Sequence, residues 1–449
     1  MPDSVRSQSY PLPTDRGLLS SYGEACLTPA PVNRMMAAFA ADFRDDTDIN
    51  LGVGYVNERT MPIDALRRAV DHVLSHPKEH RQPLNYGGPQ GSPALRRAIH
   101  DYHAQRIDER VLDEREVFVG VSGATSVLEA MADVLKPGIV LTADPMYYIF
   151  CNYLERKGYT LATVPEDEHG IQPDALRAQI EALGSARQDI RFIYVVTVNN
   201  PTCSVLSNSR RLELVSIVGE LSRDLGRHVP LVVDAAYEGL VHDPDVPPLE
   251  SALPYDDAGV VYEVHTLSKI FAPALRVGYC IGPPNTIMKA MVQKTSDVGF
   301  SAPLLNQEIG ARLMNTEMAE QQRRVNEGYQ QKAQAVREAI DGNLGRHLDR
   351  YTGGRAGFYY YLTFANIETY EDSRFFKLLA RTMGDEGLDG PPDNRHPRVI
   401  YIPGAFCVHP KGPLAVTGRR QLRLSYGFEE TPRILDAITI MGEAADAAT

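Results

Sequence analysis

Short, nearly uninterrupted apolar runs alternate with amphipathic stretches between about residue 115 and residue 285. Val117–Val121, Ile139–Leu141, Arg191–Thr197, Leu231–Val233, Val260–Val264 and Gly278–Ile281 are β-branched-rich and too short for helices, so they predict strands. Because they show no polar alternation, both faces of each strand should be covered, as in a parallel sheet. Between them apolar positions recur at helical spacing. Val127, Leu128, Met131, Val134 and Leu135 share one face over Thr125–Leu135, and Leu214, Ile217, Val218 and Leu221 do so over Leu212–Arg223. The expected fold class is α/β: a mostly parallel central sheet with helices on both faces.

After about residue 303 the pattern changes. A long polar helical stretch, Leu304–Leu344, leads to a smaller α+β part with strands near Gly357–Leu362 and Leu422–Ser425. The Gly-, Pro- and Asp-rich segment Gly384–Arg398 reads as a mobile surface loop. Residues 1–60 read as an N-terminal arm plus part of a small domain, 61–310 as a large domain and 311–449 as a small C-terminal domain.

The net charge of −12 argues against a nucleic-acid partner, which would need a basic face. No apolar run is long enough to cross a membrane, and Met1–Tyr10 lacks the apolar centre of a secretory signal. The five cysteines are scattered without a Cys-x-x-Cys pair, which predicts free thiols in a reducing, cytoplasmic setting. No metal site is read from the sequence.

The candidate chemistry centres on Lys269. The stretch His265-Thr266-Leu267-Ser268-Lys269 ends a β-branched run with small hydroxyl residues and one amine, and Arg276 follows seven positions later. A lysine amine can form a Schiff base with an aldehyde, and an arginine fork matches phosphate oxygens. Together they suit pyridoxal phosphate.

Four further segments fit that cofactor, and each also reads as an ordinary structural feature. Asp234, at the end of Leu231–Val233, could pair a pyridinium nitrogen or simply cap a turn. Asn200, in Asn199-Asn200-Pro201-Thr202, could donate to a phenolate oxygen with Tyr237 as second donor, or lie in a polar turn; a cis Asn200–Pro201 bond would aim the amide. Ser122-Gly123-Ala124-Thr125 opens a helix, where free N–H groups suit a phosphate or merely need an N-cap. Tyr147 could stack on a pyridine ring or fill core. Far downstream, Arg423 sits between Leu422 and Leu424, where it could grip a substrate carboxylate or point to solvent.

These motifs, with Asn50-Leu51-Gly52-Val53-Gly54, Leu84-Asn85-Tyr86-Gly87 and Pro403-Gly404, resemble the class I/II aminotransferases of fold type I, nearest the aminoadipate/kynurenine branch. The resemblance spans about residues 48 to 430. It implies a pyridoxal-phosphate-dependent aminotransferase acting between an L-amino acid and a 2-oxo acid, as a homodimer with shared active sites. Lys269 would be the Schiff-base lysine and proton shuttle, and Asp234 and Tyr237 would act on the cofactor ring with Asn200. Tyr147 would stack; Gly123, Ala124, Thr125, Thr266, Ser268 and Arg276 would hold phosphate, with Tyr86 reaching the partner subunit's phosphate. Gly54, Asn200 and Arg423 would bind the substrate carboxylate. Cys203 stands where the family has glycine, so that turn is expected to differ. Asp297 would favour a donor with a basic or neutral side chain if it met the substrate, or lie at a helix end without touching it. The competing reading on the same cofactor is a β-eliminating lyase or an amino-acid oxidase or hydroxylase. A transcription regulator with an aminotransferase-like domain is less favoured, since only about 50 residues, proline-rich and not basic, precede the match.

Overall fold

The computed structural model describes residues 15–80 and 82–449; the expectation for Met1–Tyr10 lies outside them. The larger sheet contains β1 (Glu116–Val119), β2 (Ile139–Asp144), β3 (Thr160–Asp167), β4 (Gly170–Ile171), β5 (Ile190–Val196), β6 (Leu231–Asp234), β7 (Val261–Thr266) and β8 (Gly278–Gly282). Their order is β1-β8-β7-β6-β5-β2-β3-β4. The strands from β7 through β3 run parallel. β8 runs against both neighbours, and β4 turns back on β3.

Both faces are buried, as the missing alternation requires. Phe118, Val140, Phe192, Val232 and Tyr262 pack on one side, against residues of the helix Gly123–Val134 and of the helix Thr286–Gly299. Val119, Leu141, Ile193, Val233 and Val261 pack on the other.

Several features depart from the sequence reading, among them two added strands in the smaller sheet, Leu348–Gly353 and Ile402–Pro403. β3 and β4 were not expected: β3 is mixed in burial and contains Pro165, which weakens a strand signal. The stretch Leu304–Leu344 is two helices, Leu304–Thr316 and Met318–Asn343, parted at Glu317 (φ −127°) while the apolar period runs on. The segment Gly384–Arg398 is tied down. It contains a helical turn, Glu386–Asp389; the Asp389 carboxylate accepts from the Met383 and Gly384 N–H groups, and Arg395 pairs with Asp42.

The smaller sheet comprises β9 (Leu348–Gly353), β10 (Tyr359–Phe364), β11 (Ile402–Pro403) and β12 (Gln421–Ser425), antiparallel in the order β9-β10-β12-β11. Ile49–Asn50 pairs in parallel with Val399–Ile400. Leu51 continues that contact, donating to Ile400 and accepting from Ser425. This pairing sets Gly52–Gly54 beside β12, which carries Arg423.

Candidate active site

In a parallel sheet the C-terminal strand ends open on one edge, and ligands bind in the crevice there. β6 ends at Asp234, β7 at Thr266, β5 just before Asn200, and β2 just before Tyr147. They surround a cavity of about 250 Å³ whose lining includes Lys269, Asp234, Asn200, Tyr237, Tyr147 and Arg276, with Gly54, Ala124, Thr125, Thr266 and Ser268. A cavity of about 300 Å³ on the other face of β7 shares Lys269 and Thr266 but lacks Asp234, Asn200 and Arg276. The convergent polar groups place the site in the smaller one.

One end of the cavity is an anion cradle. The first turn of the helix Gly123–Val134 leaves the Ala124 and Thr125 N–H groups without intrahelical partners. Arg276 lies beside them, its Nε donating to Ser122 Oγ (3.2 Å) and its Nη2 to the Ser122 carbonyl (3.0 Å). Gly123 has φ +70°, and a side chain there would come within 3.0 Å of the Arg276 guanidinium. Gly278 is equally constrained, since a Cβ would strike the Ala124 backbone. The Thr266 hydroxyl stands 2.9 Å from both Ser268 Oγ and the Val277 carbonyl, so it braces Ser268 at the same end.

Lys269 Nζ donates to the Gly54 carbonyl at 3.0 Å. Burial pulls its amine down to about 8, the positive Arg423 and Arg276 add to the fall, and Asp234 opposes it. The Asp234 carboxylate accepts from the Tyr194 hydroxyl (2.8 Å) and the Ala236 N–H (3.1 Å). Burial raises its pKa, and those two donors pull the other way. Among the described residues no lysine or arginine forms an ion pair with it. A buried carboxylate of this kind fits a cation supplied by a ligand.

At the opposite end lies Arg423, only 2% exposed. Its Nη1 donates to Asn200 Oδ1 (2.7 Å), its Nη2 to the Gly52 carbonyl (2.6 Å), and it lies 4.3 Å from the centre of the Tyr359 ring. Its Nε is buried without a partner, an N–H that a carboxylate would satisfy. Holding Asn200 by its oxygen leaves the amide Nδ2 to donate elsewhere. The Tyr237 hydroxyl is 2.9 Å from that of Tyr359.

Of the expected cofactor and substrate residues, Gly54, Ala124, Thr125, Tyr147, Asn200, Asp234, Tyr237, Thr266, Ser268, Lys269 and Arg276 line the cavity, Gly123 lies against Arg276 and Arg423 bonds Asn200, while Tyr86 stands apart. Tyr86 is 77% exposed, its ring 5.3 Å from that of Phe300. Gly54 contributes its carbonyl to Lys269, a contact its expected role did not include. The cis bond is Asp144–Pro145, so the expected cis Asn200–Pro201 bond is a correction. Cys203 keeps a left-handed φ of +50°, which places it in the conformation a glycine there would favour. Asp297 lies outside the cavity lining and accepts from Gln293 at 2.8 Å.

Sequence reasoning missed Tyr194, Tyr359 and Glu166. The first two lie in apolar strand runs and look like core. Glu166 lies on the unrecognised β3, where it accepts from Thr202 Oγ1 (2.6 Å), Asn199 Nδ2 (2.9 Å) and Ser204 Oγ (3.1 Å). It holds the loop that presents Asn200. Glu166→Ala strands those donors, and we expect a stability loss of about 1–3 kcal/mol by thermal denaturation and a raised KM for the carboxylate substrate. An unchanged KM would show that the loop positions Asn200 without Glu166.

The residues present fit pyridoxal phosphate: an anion cradle, a lysine with a lowered pKa, a carboxylate awaiting a cation and open amide and hydroxyl donors. Comparison with known proteins agrees. Residues 46–384 match the family described as aminotransferase class I and II. A 2-aminoadipate transaminase of Thermus thermophilus is 26% identical over 368 residues, 80% of this chain and 81% of that one. An uncharacterised HTH-type transcriptional regulator of Bacillus subtilis is 26% identical over 355 residues, 74% of this chain but 65% of the regulator. Among solved structures, a multiple substrate aminotransferase from Thermococcus profundus superposes with a TM-score of 0.81 at 20% identity, covering 96% of this chain and 98% of that one. A kynurenine aminotransferase from Pyrococcus horikoshii gives 0.79 at 19% identity, covering 97% of each. With its family matched over most of its length, the chain belongs to the class I and II aminotransferases and is a pyridoxal-phosphate-dependent transaminase.

Proposed function

We propose that this transaminase takes its amino group from an L-amino acid with an uncharged side chain, and that the residues gathered in the cavity divide the work as follows. When bound, pyridoxal phosphate supplies an aldehyde that exchanges amines and an electron-poor ring that accepts the electron pair of the Cα–H bond. Ala124, Thr125, Thr266, Ser268 and Arg276 bind its phosphate, with Gly123 giving the guanidinium room. Asp234 keeps the ring nitrogen protonated, held in place by Tyr194. Asn200 and Tyr237 would donate to the phenolate oxygen, and Tyr147 would offer its face to the ring. Arg423, oriented by Asn200 and the Gly52 carbonyl, binds the substrate α-carboxylate, while the Gly54 carbonyl steadies Lys269. The neutral Lys269 amine accepts the donor's α-proton, and in the reverse half-reaction it delivers a proton to the same carbon of the product.

The uncharged-donor reading rests on one observation. Among the described residues of this chain the lysine and arginine lining the cavity are Lys269 and Arg276, both assigned to the cofactor, and Arg423, bonded to Asn200 beside it, is assigned to the α-carboxylate. The remaining wall includes Tyr55, Leu128, Tyr147 and Pro273, which offer no cation to a second carboxylate. The relatives' names divide: kynurenine carries a neutral aromatic side chain, 2-aminoadipate a carboxylate. The wall favours the neutral class. A half-reaction screen, following the cofactor's absorbance as each amino acid is added, should rank aromatic and large aliphatic donors above aspartate and glutamate. If the two acidic donors rank far ahead of the rest, the assignment is wrong.

The protein acts as a homodimer in this reading. Leu84 and Tyr86, on the segment expected to reach a partner, are large side chains left exposed, Tyr86 lies against the exposed Phe300, and sedimentation should give the mass of two chains. All five cysteines are free thiols, which supports a cytoplasmic setting.

A further inference from the structure

We propose that the end of the helix Ile63–Ser75 and the turn after it form a binding site for a divalent transition metal, ligated by His72, Glu79 and His80 and best suited to zinc.

His72 lies in the last turn of the helix. The chain then doubles back, with the Glu79 and His80 N–H groups donating to the His76 carbonyl at 3.0 and 3.1 Å. This turn sets Glu79 Oε1 3.6 Å from His72 Nε2 and 4.0 Å from His80 Nε2. The ligand atoms of the three residues all lie within 4.8 Å of one another. Tetrahedral zinc with bonds of about 2.0–2.1 Å holds its ligand atoms roughly 3.3–3.5 Å apart, so only a small closure is needed.

Two independent observations point to a ligand at the centre of this triangle. First, His72 Nε2 and His80 Nε2 are both buried without a hydrogen-bond partner, and His80 as a whole is 7% exposed. Orphaned buried polar atoms are costly, and a metal would satisfy both at once. Second, the other ring nitrogen of His80 is already held: Nδ1 lies 2.7 Å from Glu308 Oε2, and that side chain is 4% exposed. With Nδ1–H donating to the carboxylate, Nε2 carries the lone pair. A carboxylate behind a ligating histidine is the common outer-shell support of zinc sites.

The donor set is two imidazoles and a carboxylate, which suits zinc, copper, nickel or cobalt and not magnesium or calcium. Three protein ligands leave a fourth position for water. His76 is not one of the converging residues: the ligand atoms that lie together are those of His72, Glu79 and His80, while His76 Nδ1 bonds the His72 carbonyl at 2.8 Å and its ring stacks on that of His72. The spacing His72-x-x-x-His76-x-x-x-His80 suggests a single helical face, which hides the site, since the helix ends at Ser75 and the turn brings His80 back. Glu308 comes from the helix Leu304–Thr316, so the metal would pin that helix to the segment running into Leu84 and Tyr86. Its role is structural, since none of its three ligands lines the cavity that holds Lys269.

The test uses the untagged holoenzyme and zinc chloride alone. Titration calorimetry should find one zinc per chain with micromolar or tighter affinity, and the thermal midpoint should rise with zinc concentration. Cobalt in place of zinc should give the visible bands of a tetrahedral site, leaving the cofactor's absorbance unchanged. His72→Ala and Glu79→Ala, both at partly exposed positions, should each weaken binding about tenfold or more and remove the cobalt bands, whereas His76→Ala should leave them. The proposal is overturned if zinc binds only weakly and without fixed stoichiometry, if binding survives both ligand substitutions, or if it is lost in His76→Ala, the mark of adventitious capture by surface histidines.

Discussion

Lys269→Ala leaves a protein that folds but does not transaminate, with the rate reduced by roughly 10⁴-fold or more, the upper range for a lost proton-transfer group. Two functions go together: the amine that captures the aldehyde and the base that takes the α-proton. Among the described residues no other lysine lines the cavity. The wild type provides a positive counterpart. Its amine is lowered to about 8, chiefly by burial. The depressed value means that the neutral, nucleophilic form is populated through the physiological range. Capture of added cofactor by apoprotein should therefore rise about tenfold per pH unit below that value and level off above it. A profile that climbs unbroken towards pH 10 would show an ordinary, solvated lysine.

Asp234→Asn is the second severe change. It keeps the size and a hydrogen-bonding group for Tyr194 but removes the only charge assigned to the ring nitrogen. Leaving a buried cation without its counter-charge costs about 3–5 kcal/mol, so kcat/KM should fall on the order of 10²–10⁴-fold. The loss should fall mainly on kcat, because the carboxylate acts on the electron sink and Arg423 still binds substrate. Weaker cofactor retention and a shifted absorbance should accompany it. A variant with normal kcat would show that the ring nitrogen needs no anion here.

Much of this site was legible because parallel strands deliver their C-terminal ends to one edge, so a chemically odd residue at a strand end is a marked residue. Asp234, Asn200 and Lys269 all stand out in that way. Arg423 stood out by interrupting a leucine strand. What stayed hidden were groups that act through other groups. Tyr194 looks like core until its hydroxyl is seen on Asp234. Glu166 sits on a proline-bearing strand whose apolar signal is weak, and its partners arrive from a loop more than thirty residues away. The His72–His80 cluster depends on where a helix stops, a boundary that apolar periodicity marks poorly. The change of pattern near residue 303 precedes the smaller sheet, though it gave no sign of the helix break at Glu317.

The measurement that reaches the centre of the account is chemical. The cofactor-loaded protein is reduced with borohydride, digested, and its peptides read by mass spectrometry. The account predicts a single pyridoxyl label, on Lys269, with none in Lys269→Ala. A label on another lysine, or no label on a protein that still transaminates, would contradict it.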